Sequence, residues 1–287
     1  SAWSALGTGT GLNFRAHAIT VTGQGELVVG GDFTRADGLL VNRIARWNGT
    51  SWSDMGTGFN NQVNDLLTLA SGDIVATGYF SSADGMPAHR IARWDGSWHA
   101  FAPGIDNQVL AVTELPNGDL VIGGHFWKIG TQEFNGIARW DGSAWRTLGS
   151  GMDQHVEQLV TLPNGHVVAR GWFTRAGDVE VRGLARWDGQ AWHAMPDDEP
   201  GWPEALHVLP DGRLLCGFGF MNGGGIPVGN IRLWTGSDWE PVGGILNREP
   251  ITVTSRSNGE VVVGGALAIA GNLASGWVAG LRRPAWR

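Results

Sequence analysis

A repeat of about 47 residues constrains the fold of this 287-residue chain more than any other feature. Tryptophan recurs at steps of 49, 46, 47, 47, 47 and 47 residues, at Trp3, Trp52, Trp98, Trp145, Trp192, Trp239 and Trp286. A second series keeps the step at Trp47, Trp94, Trp140, Trp187 and Trp234, and a turn glycine recurs at Gly25, Gly72, Gly118, Gly165, Gly212 and Gly259. A repeat of this length predicts units that stack on one another, because one unit cannot bury its apolar face alone.

The best-preserved repeat, Trp145–Gly189, contains four runs of strand length. These runs are Trp145–Leu148, Val156–Leu162, His166–Phe173 and Arg182–Trp187. The segments Pro163–Gly165 and Asp188–Gln190 join neighbouring runs and have the composition of tight hairpin turns. No segment shows helical spacing of apolar residues over three turns, so the sequence predicts an all-β protein.

Four antiparallel strands per repeat predict one propeller blade, and six repeats predict a six-bladed β-propeller. The predicted blades are 3–51, 52–97, 98–144, 145–191, 192–238 and 239–287, within a single domain over 1–287. A strand at Trp3–Leu6 would complete the last blade and close the ring, which removes an exposed sheet edge. A fragment of a longer array is the alternative.

Three further series predict how the blades pack. Phenylalanine recurs at Phe33, Phe80, Phe126, Phe173 and Phe220, and an aliphatic residue at Ile44, Ile91, Ile137, Leu184 and Ile231. Both are predicted core positions. Arginine recurs at Arg46, Arg93, Arg139 and Arg186, where we expect interblade stacking or ion pairs. The single Cys216 stands where other repeats have Val29, Ile122 or Val263, which predicts a buried apolar role.

The repeat pattern resembles two groups of known propellers. Gly30-Gly31, Gly123-Gly124 and Gly264-Gly265 precede a pair of tryptophans, an order similar to kelch-type repeats, although kelch repeats have Tyr where Trp47 and its equivalents stand. The segments Ile91–Trp98 and Ile137–Trp145 resemble IARWDG-type repeats of bacterial surface or secreted proteins and of the fungal cortical cell-polarity marker family. The resemblance covers the whole chain, fades in the last repeat and implies a fold rather than an activity.

Composition narrows the compartment and the partners. The formal net charge is −7, with Lys128 as the only lysine, which argues against a nucleic-acid partner. The sequence contains no run of eighteen apolar residues, so we expect no membrane insertion. We expect a secreted or cell-surface protein, of bacterial origin, and a monomer. A signal peptide would be absent from the mature chain.

The connections of one face carry the variation between repeats. The residue after the second-strand glycine reads Asp32, Tyr79, His125, Trp172, Gly219 and Ala266, and four tryptophans lie outside the repeat series, Trp127, Trp172, Trp202 and Trp277. This variation predicts one asymmetric ligand site over blades two to five. Its predicted residues are Asp32, Tyr79, His125, Trp127, Trp172 and Trp202. The alternative is that the irregular tryptophans cover the core beneath their own loops.

No catalytic residue, cofactor or metal site is predicted. Asp197, Asp198 and Glu199 lack the ligand spacing of a calcium loop, and the histidines lack zinc-ligand spacing. A carboxylate-pair hydrolase would have to use Asp32 with Glu157 or Glu204. Every connection keeps nearly the same length, so no lid is available. We therefore expect a non-catalytic binding or scaffold module for a protein partner. A carbohydrate-binding propeller is the alternative, followed by a hydrolase or a structural spacer.

Overall fold

The chain has the all-β fold of a six-bladed propeller built from antiparallel blades, as the repeat predicts. The computed structural model describes residues 6–7, 9–196, 201–221, 225, 227–256, 260–265, 269–270, 273–274 and 278–281. These residues contain no helix, and hence none long and apolar enough to cross a membrane. The chain divides into two compact units, Ser1–Thr147 and Leu148–Arg287.

The first unit holds three blades. The strands of its first blade are β1 (Ala16–Val21), β2 (Leu27–Gly31), β3 (Arg35–Ala36), β4 (Leu39–Leu40), β5 (Ile44–Trp47) and β6 (Trp52–Ser53). Those of the second are β7 (Val63–Thr68), β8 (Ile74–Gly78), β9 (Ser82–Ala83), β10 (Met86–Pro87), β11 (Ile91–Trp94) and β12 (Trp98–Ala100). Those of the third are β13 (Val109–Glu114), β14 (Leu120–Gly124), β15 (Lys128–Ile129), β16 (Gln132–Glu133), β17 (Ile137–Trp140) and β18 (Trp145–Arg146).

The second unit holds the other three. The strands of the fourth blade are β19 (Val156–Thr161), β20 (Val167–Gly171), β21 (Arg175–Ala176), β22 (Val179–Glu180), β23 (Leu184–Trp187) and β24 (Trp192–Ala194). Those of the fifth are β25 (Trp202–Val208), β26 (Leu214–Met221), β27 (Pro227–Trp234) and β28 (Trp239–Leu246). Those that follow are β29 (Pro250–Ser255), β30 (Val261–Gly265), β31 (Ile269–Ala270), β32 (Leu273–Ala274) and β33 (Val278–Leu281).

The sheets group the strands differently from the predicted blade boundaries. The first sheet has the order β1-β2-β5-β6, and the next three blades repeat it. The fifth blade has the order β25-β26-β27-β28 and is extended by β31-β32, and the last described sheet has the order β29-β30-β33. The strand that begins at Trp52, Trp98, Trp145, Trp192 or Trp239 is thus the last strand of one blade, whereas the predicted boundaries make it the first strand of the next. The reason is the short turn before it, which keeps it beside the strand it follows. The predicted ring-closing strand is Trp3–Leu6, and all of it except Leu6 lies outside the described residues.

Each of the first four blades also carries a small hairpin that the sequence did not predict. The hairpins β3-β4, β9-β10, β15-β16 and β21-β22 lie between the second and third long strands. Strands of two residues are too short for an alternating pattern to be visible. In the fifth blade β26 and β27 are longer and pair continuously from Leu215↔Leu233 to Met221↔Pro227. Phe220 is half-buried there, contrary to its predicted core role, and Phe218 is buried instead.

The core of each of the first five blades is built around a cross-strand pair of tryptophans. Trp47 faces Trp52 across β5 and β6, with ring centroids 5.3 Å apart, and the equivalent pairs in the next four blades lie 5.1 to 5.3 Å apart. The indole N–H of Trp98 donates to the Met55 carbonyl at 2.8 Å, and that of Trp192 to the Leu148 carbonyl at 2.9 Å. These bonds tie an outer strand to the connection that precedes its blade. The predicted core positions Phe33, Phe80, Phe126 and Phe173 are fully buried.

The recurring arginines form pairs within a blade rather than between blades. Arg93 donates to Asp73 at 2.9 Å and Arg139 to Asp119 at 2.6 Å, each from the third strand to the start of the second. Arg46 pairs with Glu26 at 3.4 Å, and Arg186 contacts His166 at 2.7 Å. Cys216 is buried as expected, and burial raises the pKa of its thiol.

Neighbouring blades are joined by polar side chains on their first strands. Asp65 of β7 accepts from the Val112 amide of β13 at 2.9 Å and from its own neighbour Leu66 at 2.9 Å. At the same position in the fourth blade, Gln158 both donates to the Leu206 carbonyl and accepts from the Leu206 amide. Burial raises the pKa of Asp65 to about 6, although the two amides lower it.

The substitution Trp98→Ala is expected to lower the free energy of unfolding by about 3–5 kcal/mol, because Trp98 is 1% exposed and its loss leaves a cavity and an unpaired carbonyl. Urea denaturation followed by circular dichroism measures this change. Trp127→Ala is the control, since Trp127 is 44% exposed and its removal is expected to cost less than about 1 kcal/mol. Equal losses in the two variants would contradict the core role of Trp98.

The substitution Asp65→Asn is expected to reduce the loss of stability that the protein undergoes as the pH rises from 4 to 7.5. The pKa of Asp65 is about 6 in the fold and 3.8 without it, so the unfolded chain releases this proton first as pH rises. Stability is therefore lost between about pH 4 and pH 6 and stays lower above it, by about 1–3 kcal/mol. Asn carries no charge, and its single oxygen can accept one of the two amide bonds, so the test compares the change with pH rather than the absolute stability. Urea denaturation at pH 4 and pH 7.5 should show that the wild type loses more stability than Asp65→Asn. An identical loss in both proteins would rule out Asp65 as the cause.

Candidate functional site

The variable residue that follows the second strand has one structural position in the first four blades. The amides of Asp32, Tyr79, His125 and Trp172 donate to the carbonyls of Arg15, Gln62, Gln108 and His155, at 2.9 to 3.2 Å. A bulge in the first strand brings each of these carbonyls close to the preceding glycine. A Cβ on Gly31 would lie 2.1 Å from the Arg15 oxygen, and one on Gly171 would lie 2.2 Å from that of His155. Glycine is therefore required there, and the next side chain projects from the end of the sheet.

In the second unit this position forms part of an aromatic pair. Trp172 stacks on Trp202 with ring centroids 5.4 Å apart and an angle of 29° between the planes. The indole N–H of Trp172 donates to Oε1 of Glu157 at 2.9 Å. Trp172 is nevertheless 56% exposed. An exposed ring is thus held in one orientation by a stacking contact on one side and a hydrogen bond at its edge.

The Trp202 ring of this pair packs against the backbone of Gly183. A Cβ on Gly183 would lie 2.8 Å from two carbons of the Trp202 ring, so the ring occupies the space that any other residue would fill. The guanidinium carbon of Arg182 lies 5.8 Å from the centroid of the Trp202 ring. We call the assembly of Trp172, Trp202, Glu157 and Gly183 the tryptophan platform.

Arg170 fixes the carboxylate that holds Trp172. Its Nη1 donates to Oε2 of Glu157 at 2.7 Å, and its Nε donates to Gln158 at 3.2 Å. His155 lies 3.5 Å from the same carboxylate, on Oε1. Both oxygens of Glu157 are therefore engaged, one by an indole and one by a guanidinium. Arg170 stands at a strand position where four other repeats have glycine, at Gly30, Gly123, Gly217 and Gly264.

Two more carboxylates lie close to each other in the second unit, around Gly219. A Cβ on Gly219 would lie 2.4 Å from Cγ of Glu249 and 3.2 Å from Cγ of Glu204. Glycine here leaves the room that the two acids share. Burial raises the pKa of Glu204; Arg170 opposes this shift, while Glu249 and Glu157 add to it. Glu204 therefore favours a neighbour that donates a hydrogen bond or carries a positive charge.

In the first unit the same positions carry a different set of side chains. His17 Nε2 and Asp32 Oδ2 lie 2.9 Å apart, and Arg43 donates from Nη1 to the Asp32 carbonyl. Tyr79 is 46% exposed, and the guanidinium carbon of Arg90 lies 5.2 Å from the centroid of its ring. The amide of Trp127 donates to Asp106 at 3.1 Å, and His125 is half-buried.

The predicted ligand residues therefore fall into one group in each unit. Asp32, Tyr79, His125 and Trp127 belong to the first unit, and Trp172 and Trp202 are in direct contact in the second. The sequence did not predict roles for Arg43, Arg90, Arg170, Arg182 or Glu249. The signal for Arg170 was available as an arginine in a glycine position. Ala266, Trp277 and the acids Asp197, Asp198 and Glu199 lie outside the described residues.

The described residues do not contain a group of three or more His, Cys, Asp or Glu side chains that could hold a metal ion. What the tryptophan platform offers instead is a rigid aromatic surface with charged groups at its edge. Such a surface can stack on a planar or apolar group and can bind a hydrogen-bond donor beside it.

Comparisons with known proteins agree on the fold. A family profile described as "Domain of unknown function (DUF5122) beta-propeller" matches residues 25–49 and 115–140. None of the curated proteins compared with the chain matches it. The WD40 beta propeller domain of Doa1 is similar in structure, with a TM-score of 0.61, 14% identity and coverage of 91% of this chain and 78% of that chain.

Two further solved structures are also similar. YCF48 bound to D1 peptide has a TM-score of 0.57 and 18% identity, over 91% of this chain and 80% of that chain. PorZ, a bacterial surface component of the type-IX secretion system of Porphyromonas gingivalis, has a TM-score of 0.54 and 12% identity, over 87% of this chain and 38% of that chain. The chain is therefore a β-propeller repeat protein, and at these identities the comparisons show the fold alone.

The substitution Gly183→Ala is expected to destabilise the protein by about 1–3 kcal/mol more than Gly189→Ala, because its methyl group would collide with the Gly171 carbonyl oxygen and with the Trp202 ring. Both glycines have a positive φ, +68° and +101°, so both variants carry backbone strain, but Gly189 has open space around it. Urea denaturation compares the two variants. Similar losses would mean that Trp202 does not rest on Gly183.

Proposed function

We propose that this propeller is a non-catalytic binding module that recognises a protein partner through the tryptophan platform of its second unit. The observation that carries the proposal is the fixed, exposed ring of Trp172, stacked on Trp202 and hydrogen-bonded to Glu157. An aromatic side chain that is already ordered loses little conformational entropy on binding. Rigid exposed tryptophans are for this reason frequent hot spots of protein interfaces.

The charges beside the platform favour a particular kind of partner segment. Glu204 and Glu249 share the space at Gly219, and Arg170 is occupied by Glu157. The carboxylate of Glu204 is poorly solvated and lies near two other acids. We infer that the partner places an apolar or aromatic group on Trp172 and a donor or cation near Glu204. The structural neighbours are consistent with peptide recognition by a propeller, since one of them is YCF48 bound to D1 peptide.

Carbohydrate binding is the second candidate function. The face of Trp172 that is turned away from Trp202 is a surface of the kind on which sugar rings stack, and Glu157 lies at the edge of the ring. A hydrolase is a weaker candidate. A carboxylate pair would need both acids facing one substrate bond, and both oxygens of Glu157 are engaged by Trp172 and Arg170.

We infer that the protein is a monomer and that it is secreted by a bacterium or lies on a bacterial surface. We also infer that it has no nucleic-acid partner, because the chain is acidic. Two observations support the compartment. The repeats resemble IARWDG-type repeats of bacterial surface proteins and, more distantly, kelch repeats. PorZ, one of the structural neighbours, is a bacterial surface component.

Random peptides selected on the immobilised protein, and a glycan array probed in parallel, test this function. Trp172→Ala is expected to weaken binding of the selected peptides about tenfold or more, since it removes the platform's exposed ring. The melting temperature should change by only a few degrees, because the ring is exposed. Isothermal titration calorimetry gives the Kd values.

The matched control for this experiment is Trp127→Ala, which removes an exposed tryptophan of the first unit and should leave peptide affinity unchanged. Peptide binding that survives Trp172→Ala would contradict the proposal. Binding to glycans alone, abolished by Trp172→Ala, would establish the carbohydrate function instead.

A further inference from the structure

A second candidate site lies in the first unit, where two arginines occupy a backbone conformation that favours glycine. In the third and fourth blades the residue eighteen positions after the turn glycine is Gly136 or Gly183, with φ of +79° and +68°. In the first and second blades the same position is Arg43 or Arg90, with φ of +74° and +79°. The backbone is the same in all four blades, so glycine would fit each of them without strain.

Arginine at this position is strained, whereas glycine adopts the same backbone conformation in the third and fourth blades. The left-handed region is unfavourable for a residue with a long side chain, and such strain is found where a side chain serves a function. If Arg43 and Arg90 formed ion pairs, those pairs would offset the strain. Within the described part of the chain, however, neither guanidinium lies within ion-pair distance of a carboxylate.

The contacts of Arg90 leave most of its hydrogen-bonding capacity unused. Its guanidinium carbon lies 5.2 Å from the centroid of the Tyr79 ring, and Nη1 makes one long bond of 3.4 Å to the Phe80 carbonyl. A guanidinium has five N–H donors in a planar fork. Stacking on an aromatic ring holds the plane of the fork. Nε is buried without a partner, so the Nη1–Nη2 edge is the one that a bidentate carboxylate would use. Tyr79 is half-exposed and Arg90 is partly exposed, so the pair lies at the surface of the first unit.

Arg43 repeats this construction in the first blade with one difference. It donates to the Asp32 carbonyl, and the Asp32 carboxylate pairs with His17. The nearby negative charge makes Arg43 a weaker anion site than Arg90. The second blade has Tyr79 where the first has Asp32, and no acid at that position competes for Arg90.

We propose that Arg90, stacked on Tyr79, binds a carboxylate of an acidic peptide segment, with Arg43 as an auxiliary cation in the neighbouring blade. A peptide carboxylate is the favoured ligand because it is planar and matches the free edge of the guanidinium. The site is independent of the tryptophan platform and uses residues of the first unit only. The chain carries a net charge of −7, so an acidic peptide gains nothing from the overall charge and must be recognised locally.

The experiment uses fluorescein-labelled hexaglutamate peptide, titrated with the full chain at low salt and followed by fluorescence anisotropy. Arg90→Gly is expected to weaken binding about tenfold or more, while the melting temperature stays the same or rises, because glycine relieves the strain at φ +79°. Arg90→Lys keeps the charge but loses the planar fork, so its affinity should lie between those of the wild type and Arg90→Gly.

The matched control is Arg146→Ala, which removes the same charge from the first unit at an exposed arginine paired with Asp141. Its affinity for hexaglutamate should stay within about twofold of the wild type. The proposal is overturned if the wild type does not bind hexaglutamate, or if Arg90→Gly and Arg146→Ala weaken binding equally. A fall in melting temperature with unchanged affinity in Arg90→Gly would assign Arg90 a structural role. If the protein binds oligogalacturonate and not hexaglutamate, the ligand class is an acidic polysaccharide, and the proposal of a peptide ligand is overturned.

Discussion

The cross-strand contact between two tryptophans is the interaction on which each blade depends. It lies at the end of the third strand, beside the tight turn to the fourth, where Trp47 meets Trp52 and Trp94 meets Trp98. In three of the pairs the outer ring also donates its N–H to a carbonyl of the preceding connection, from Trp52 to Leu6, from Trp98 to Met55 and from Trp192 to Leu148. One pair of side chains therefore orders a hairpin, fills the core and links that hairpin to the connection before its blade. The other end of the third strand takes no part in this contact.

The functional positions lie at that other end, and a bulge separates them from the core. Gly31 and Gly171 face the carbonyl of a bulged first strand so closely that no side chain fits, and the residue after each glycine projects from the sheet. The backbone therefore accepts only glycine at one position and accepts different side chains at the next. This explains how Asp32, Tyr79 and Trp172 can differ completely on backbones that are otherwise the same.

The sequence predicts most of the fold and much less of the site, for physical reasons. Spacing alone predicts the buried Phe33 and the tryptophan pairs, because the repeat makes each position visible several times. The two-residue hairpins escape prediction because they are too short to show alternation, and Phe218 replaces Phe220 in the core because the fifth blade pairs differently. The partners of Trp172 depend on the register of the bulge, which leaves no pattern in the sequence. The sequence left open whether Trp172 is exposed, and it did not predict that Trp172 stacks on Trp202.

The position eighteen residues after the turn glycine has a positive φ in the first four blades and favours glycine. It is occupied by arginine in two of them. In the fourth blade this residue is Gly183, and the absence of a side chain there leaves room for the Trp202 ring. Arg43 and Arg90 adopt the same positive φ, which is strained for arginine. Neither has a carboxylate partner among the described residues. A fold under selection for stability alone would keep glycine in all four blades. The strained arginines therefore indicate that, in the first unit, a side chain at this position contributes something other than stability. A guanidinium without a carboxylate partner is suited to binding an anion.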